Sequence, residues 1–239
     1  MMEKNAKIYV AGHRGMVGSA IVRELERQGY TNIITRTHKE LDLCRQDAVE
    51  EFFAAEKPEY VFLAAAKVGG IVANQNALAD FMYDNMTLEM NVIHSAWKNG
   101  CKKLEFLGSS CIYPRMAPQP MKENCLLTSE LEKTNEAYAL AKISGLKYCE
   151  FLNNYSGNET VNAGTGKELT IKELTELVAK VVGYTGEIKW DPTKPNGTPR
   201  KLLDVSKATG LGWTYKTELE DGLRLAYEDF LNNPMRAER

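Results

Sequence analysis

Tyr138 and Lys142 close the run Tyr138-Ala139-Leu140-Ala141-Lys142, a spacing that sets both side chains on one face of a helix. An ammonium beside a phenol favours the phenolate and is expected to lower the tyrosine pKa, so the pair can pass a proton during hydride transfer. By itself this spacing also describes an ordinary exposed pair. Ser109 gives it direction: it follows the apolar run Leu104-Glu105-Phe106-Leu107, where its hydroxyl can hold a carbonyl or hydroxyl beside the phenol. Cys111, two residues on, is either a small core residue or a thiol with chemistry of its own.

Gly12, Gly15 and Gly18 stand at G-x-x-G-x-x-G spacing directly after the apolar stretch Lys7 to Ala11, and Ala20, Ile21 and Leu25 follow at helical spacing. A strand running through a glycine turn into a helix exposes unpaired N-H groups and a positive dipole end to which a dinucleotide pyrophosphate can bind. An acidic residue at the end of the second strand would bind the ribose hydroxyls of NAD. Here Arg36 follows that strand, His38 and Lys39 lie close by, and Arg14 sits in the glycine turn, so the charges suit the 2'-phosphate of NADP(H). Lys39 reads as a solvated surface charge.

These residues need a frame, and the chain supplies a repeating one. Strands are expected at Lys7 to Ala11, Asn32 to Thr35, Leu41 to Leu43, Tyr60 to Ala64 and Leu104 to Leu107. Helices are expected at Asp47 to Glu56, Asn76 to Lys98, Thr134 to Asn153, Thr170 to Val182 and Thr217 to Leu231, the last two opened by capping boxes, Thr170/Glu173 and Thr217/Glu220. Alternating strands and helices predict an α/β fold with a doubly wound parallel sheet. Asp191 to Arg200 is too rich in Pro and Gly for regular structure.

Composition agrees with a globular enzyme: 44% hydrophobic residues can fill a core, and a formal charge of -2 offers no attraction to nucleic acid or an anionic membrane. No signal peptide and no membrane-spanning run is read, which points to the cytoplasm. The five cysteines lack both zinc-site and disulfide-scaffold spacing, so no metal is expected and free thiols are.

The strings AGHRGMVGSAI, LAAAKVGGIVAN, FLGSSCIYP, TNEAYALAK, VNAGTGKELTIKEL and KPNGTPRKLLDVS resemble the GDP-L-fucose synthase family of extended short-chain dehydrogenase/reductases along nearly the whole chain. The resemblance implies a Rossmann domain over residues 1–156, a smaller α/β substrate-binding region over 157–239, and a homodimer. It implies a reaction in which GDP-4-keto-6-deoxy-D-mannose is epimerised at C3 and C5 and reduced by NADPH at C4. Ser109, Tyr138 and Lys142 would form the reductive triad, and Cys111 would be the base for epimerisation. The cofactor would touch Gly12, His13, Arg14, Gly15, Met16, Val17 and Gly18, then Arg36, His38, Asp42 and Leu43. It would also touch Ala64, Ala65, Leu107, Gly108, Ser109, Ser110 and Lys142, while Asn196, Arg200 and Lys201 would meet the GDP-sugar.

The chain departs from the family in three respects. His38 stands where Arg is common and Asn196 where Asp is common. After Ser156 an internal segment of about 80 residues is absent, so CEFLNNYS runs into GNETVNAGTG and no histidine follows His94. That segment carries a core strand and the histidine acid of epimerisation in the family. A continuous chain across 154–159 is expected, with NADPH bound weakly and the full conversion catalysed poorly or not at all. Two other readings stay open: a non-catalytic remnant that binds dinucleotide or pairs with a full-length subunit, and a nucleotide-sugar dehydratase or epimerase with tightly held NAD, against which Arg14 and the GSSC string argue.

Overall fold

The structure is a computed structural model that describes residues 2–152 and 159–232. Its contacts divide the chain into two compact units, one of Met1–Arg115 with Ser129–Thr160 and one of Met116–Thr128 with Val161–Arg239. The expected boundary at 156/157 and all but residue 159 of the junction at 154–159 lie outside the described residues. Residues 116–128 belong to the second unit, an excursion that a single cut of the chain does not contain.

The first unit alternates β1 (Ile8–Ala11), α1 (Met16–Arg27), β2 (Ile33–Ile34), α2 (Gln46–Glu56), β3 (Tyr60–Leu63), α3 (Ile71–Asn76), α4 (Leu78–Lys98), β4 (Lys103–Phe106) and α5 (Glu136–Leu152). The four strands are parallel in the order β2-β1-β3-β4, with Ala11 opposite Leu63 and Leu63 opposite Phe106. This is the Rossmann arrangement: the strand order reverses at β1, and ligands bind beyond the carboxyl ends of the strands there.

All four residues of β1 are buried because both faces of the sheet are covered. Tyr9, Ala11, Val61 and Leu63 pack with Val49 and Phe53 of α2 and with Leu88, Val92, Ile93 and Ala96 of α4. Ile8 and Val10 point the other way, toward Leu25 and Tyr30.

Three expectations require correction. Leu41 to Leu43 is a turn, not a strand: Asp42 accepts from the Cys44 N-H at 3.0 Å and its carbonyl accepts from Arg45, which bends the backbone while Leu41 still plugs the core. The helix expected from Asn76 is broken at Ala77, with α3 before it and α4 after it. Ala77 leaves helical geometry and its N-H donates to the Asn74 carbonyl at 3.2 Å, a local turn that apolar periodicity does not reveal. Finally, α8 begins at Leu219, so Thr217 and Glu220 do not form a capping box; Glu220 instead receives Lys180 and Arg224.

In the second unit α6 (Ile171–Val182) carries the expected Thr170/Glu173 capping box and packs with α8 (Leu219–Asn232). A five-residue helix, α7 (Ser206–Gly210), was not anticipated. The excursion 116–128 is tied in by one parallel bridge, Met121 to Leu203, and by buried Asn162, whose amide donates to the carbonyls of Met121 at 2.9 Å and Asp204 at 3.1 Å. Among the described residues no helix is long and apolar enough to cross a membrane.

Candidate active site

The carboxyl ends of β1, β3 and β4 bring together Gly12, Ala64 and Leu107, residues far apart in the chain. At the first of these the backbone must turn inside a space that no side chain fits. Gly12 has φ +82, and a Cβ there would lie 2.7 Å from the Ala65 nitrogen; at Gly18 a Cβ would lie 2.2 Å from the Gly12 oxygen. Gly15 closes the turn through an N-H bond to the Gly12 carbonyl at 2.8 Å and caps α1 without a side-chain partner.

Helix α1 therefore starts with open N-H groups, and Met16 and Val17 beside them are exposed. Among the described residues His13 Nδ1 is buried with no hydrogen-bond partner, and burial, followed by the Arg14 charge, holds its pKa below the ordinary histidine value. A bare helix start, a cradle closed to Cβ atoms and an orphaned polar nitrogen together fit a dinucleotide diphosphate.

Of the cationic residues near the second strand, Arg14 and Arg36 both reach the field of Glu40, whose carboxylate is held below its usual range chiefly by hydrogen bonds from Thr37. Arg36 is half-buried and engaged: it donates to Glu56 at 2.7 Å and to the Thr35 carbonyl at 2.9 Å and lies over the Phe52 ring. Arg14 is exposed. His38 is exposed and 3.7 Å from Asp42, while the Leu43 carbonyl accepts from Asn91 at 2.9 Å.

Past β4 the backbone enters a 3-10 turn, Ser110–Ile112, capped by the Ser109 hydroxyl, which accepts from the Cys111 N-H at 3.4 Å. That cap places Ser109 and buried Cys111 beside α5, and the Ser109 side chain hydrogen-bonds the Tyr138 phenol. The Lys142 ammonium donates to the Leu107 carbonyl at 3.0 Å and lies 4.6 Å from the centre of the Phe106 ring and 5.9 Å from that of Tyr138.

The expected lowering of the Tyr138 pKa is not found. Burial pushes the phenol well above its ordinary range, the Cys111 and Glu89 charges add to this, and only the Ser109 hydrogen bond opposes it. Burial is the chief reason, and among the charges that add to it is Glu89 of α4, which sequence reading passes over. It is fully buried and its Oε1 lies 3.0 Å from Lys142 Nζ, so the ammonium is spent on a carboxylate nearer than the phenol. Burial in turn pushes the Glu89 carboxyl up to about 7, against the opposing charge of Lys142. The ion pair is at contact distance, yet neither Glu89 oxygen receives a well-aligned hydrogen bond. A signal was present: Phe81, Asn85, Leu88, Glu89, Val92 and Ala96 form the buried stripe of α4, and an acid in such a stripe needs a partner.

Asn196, Arg200 and Lys201 belong to the second unit and lie at its surface. Arg200 makes a two-pronged ion pair with Glu168, with Nε 3.0 and 2.8 Å from its two oxygens.

Comparison with known proteins agrees with this arrangement. Residues 8–163 match the NAD dependent epimerase/dehydratase family. GDP-L-fucose synthase 1 of Arabidopsis thaliana is 46% identical over 308 residues, covering 98% of this chain and 95% of its own length. The GDP-L-fucose synthase of Escherichia coli K12 is 40% identical over 311 residues, covering 95% of this chain and 97% of its own. Alignments of that length exceed the 239 residues of this chain, so the relatives carry an internal stretch without a counterpart here. Among solved structures, GDP-mannoheptose C4 reductase from Campylobacter jejuni with NADP bound superposes with a TM-score of 0.86 at 30% identity, over 97% of this chain and all of that one. With the family model matched over most of its length and relatives at this identity, the chain belongs to the NAD dependent epimerase/dehydratase family, in the group of the GDP-L-fucose synthases.

Proposed function

We propose that this protein is an NADPH-dependent enzyme that converts GDP-4-keto-6-deoxy-D-mannose to GDP-L-fucose, combining epimerisation with reduction. The observation that carries the reading is the gathering of Ser109, Tyr138 and Lys142 at the end of β4, in the same unit as the glycine turn. Bound NADPH supplies the hydride for the C4 ketone. Tyr138 keeps its proton at neutral pH because its phenol is desolvated, so it is poised to donate that proton to the carbonyl oxygen. Ser109 orients the carbonyl. Lys142 fixes α5 to the end of β4 and stands ready for the nicotinamide ribose.

Cys111 is proposed as the base that draws protons from C3 and C5, which the neighbouring ketone acidifies. The diphosphate is assigned to the cradle of Gly12, His13, Arg14, Gly15, Met16, Val17 and Gly18, with Arg14, Arg36 and His38 toward the 2'-phosphate and Asp42 and Leu43 toward the adenine. Ala64, Ala65 and Leu107 to Ser110 complete the cofactor's surroundings, and Asn196, Arg200 and Lys201 are assigned to the GDP-sugar. Two copies are proposed to pair through α4 and α5, supported by exposed Tyr83, Trp97 and Phe151 on these helices. Among the described residues no cysteine is joined in a disulfide, which suits a reducing, cytoplasmic setting.

A second reading is favoured by the internal stretch that the relatives carry and by the absence of any histidine after His94: a chain that binds the dinucleotide but lacks the acid for epimerisation. NADPH consumption in the presence of the keto-sugar nucleotide tests the proposal. Consumption by the parent protein and its loss in Tyr138→Phe support it; no consumption by a protein that binds NADPH favours the second reading.

A further inference from the structure

Between α4 and α5 the fold makes room for a buried acid. Gly145 sits one helical turn after Lys142, and a Cβ there would meet Glu89 Oε2 at 2.7 Å and the Phe106 ring at 2.8 Å. Glycine within a helix costs about 1 kcal/mol relative to alanine. The space it leaves is taken by a carboxylate with no exposure to water and, among the described residues, no partner for either oxygen besides Lys142.

We propose that Glu89 is a positioning residue of the reductive site: its carboxylate, lodged over Gly145, holds the Lys142 ammonium and thereby sets how much of the lysine's charge reaches the Tyr138 phenol. The proposal rests on the roles given above to Tyr138 and Lys142. Of the ammonium's three donors, one is committed to the Leu107 carbonyl and one is directed at Glu89, both at 3.0 Å, while the Tyr138 ring centre is 5.9 Å away. Charge is shared according to distance, so an ionised Glu89 cancels most of what the phenol would otherwise feel.

The titratable groups that meet here are Lys142, Tyr138 and Cys149 on α5 and Cys111 at the 3-10 turn; β4 contributes only the uncharged Phe106 ring. With Glu89 protonated, the Lys142 charge is uncompensated and favours the phenolate. With Glu89 ionised, it is neutralised. Because burial places the Glu89 carboxyl near 7, the switch falls near neutral pH.

The test is NMR of cofactor-free protein carrying tyrosine labelled with 13C at Cζ, with the Tyr138 signal identified by its disappearance in Tyr138→Phe. Between about pH 5 and about pH 9 the Tyr138 signal of the parent should move in a step, and Glu89→Gln should remove the step while leaving the thermal unfolding cooperative. A step that persists in Glu89→Gln, or no step in the parent, overturns the proposal. Should Glu89→Gln fail to fold, parent protein labelled at glutamate Cδ gives the same decision: one carboxyl must titrate with the Tyr138 midpoint, and none doing so refutes the coupling. The readout needs neither NADPH nor sugar, so a protein inactive as a reductase would contradict the proposed function without touching this result.

Discussion

The Lys142 ammonium donates to the Leu107 carbonyl oxygen at 3.0 Å, so the helix that carries Tyr138 is fastened to the end of β4 by a residue of the site itself. Among the described residues the same ammonium is the positive charge that faces buried Glu89. Lys142→Met should therefore damage stability as well as chemistry.

The pH dependence of that damage follows from Glu89. Its carboxyl is raised in the fold, from 4.5 to about 7, so its favourable contribution is complete below about 4.5 and is lost as pH rises through about 7. Removing the ammonium raises the Glu89 carboxyl further still, so ionising it becomes costlier as pH rises, while the neutral acid at low pH is tolerable. Lys142→Met should cost about 3 kcal/mol or more near pH 8 and clearly less near pH 5. Urea unfolding at both pH values measures the difference; an equal cost at both would contradict this account of Glu89.

The glycine turn predicts a contrast between two glycines. Gly18→Ala brings a Cβ to 2.2 Å from the Gly12 oxygen, a backbone clash that must open the cradle, and should weaken NADPH binding by about tenfold or more. Gly29→Ala is strained by φ +81 but meets no atom, so it should lower stability by about 1 kcal/mol and leave NADPH affinity unchanged. Fluorescence titration of each variant decides the matter.

Cofactor choice should depend more on Arg14 than on Arg36. Arg36 is already paired with Glu56, whereas exposed Arg14 stands in the glycine turn itself. Arg14→Ala should reduce the preference for NADPH over NADH by about tenfold, the loss of one charged hydrogen bond. Arg36→Ala should change the preference less and lower stability by up to about 1 kcal/mol through loss of the half-buried pair. Parallel titrations with both cofactors check this, and tighter NADH binding by the parent would refute the assignment.

The proposed roles of Cys111 and Tyr138 fall in different halves of the chemistry. Cys111→Ser should suppress solvent exchange at C3 and C5 while the Ser109 cap, which uses the backbone N-H of residue 111, survives. Tyr138→Phe should abolish reduction and keep cofactor binding. Exchange at the parent rate in Cys111→Ser would remove the thiol from the mechanism.

The parallel sheet and the glycine turn were legible because buried strands are short apolar runs and a Cβ-free turn has to be written in glycine. Ser109, Tyr138 and Lys142 were legible for the same kind of reason: helical spacing and strand ends locate side chains without knowledge of their neighbours. What escaped was decided by long-range partners. Glu89 stands in the buried stripe of α4, but its partner Lys142 lies on α5 and nothing local names it, and the burial that chiefly raises the Tyr138 pKa is likewise set by elements distant in the chain. Asn162 escaped likewise: nothing local says that its amide will hold the carbonyls of Met121 and Asp204. Leu41 to Leu43 was misread as a strand because a buried turn residue and a buried strand residue share the same apolarity.

The central claim, that the gathered Ser109, Tyr138, Lys142 and Cys111 carry out epimerisation and reduction, is tested most directly in one reaction. Purified protein is incubated in deuterium oxide with NADPH and GDP-4-keto-6-deoxy-D-mannose, and the product is examined by mass spectrometry and NMR. The account predicts oxidation of NADPH together with GDP-L-fucose carrying deuterium at C3 and C5. Unchanged NADPH and an unlabelled keto-sugar, from protein that demonstrably binds the cofactor, would contradict it.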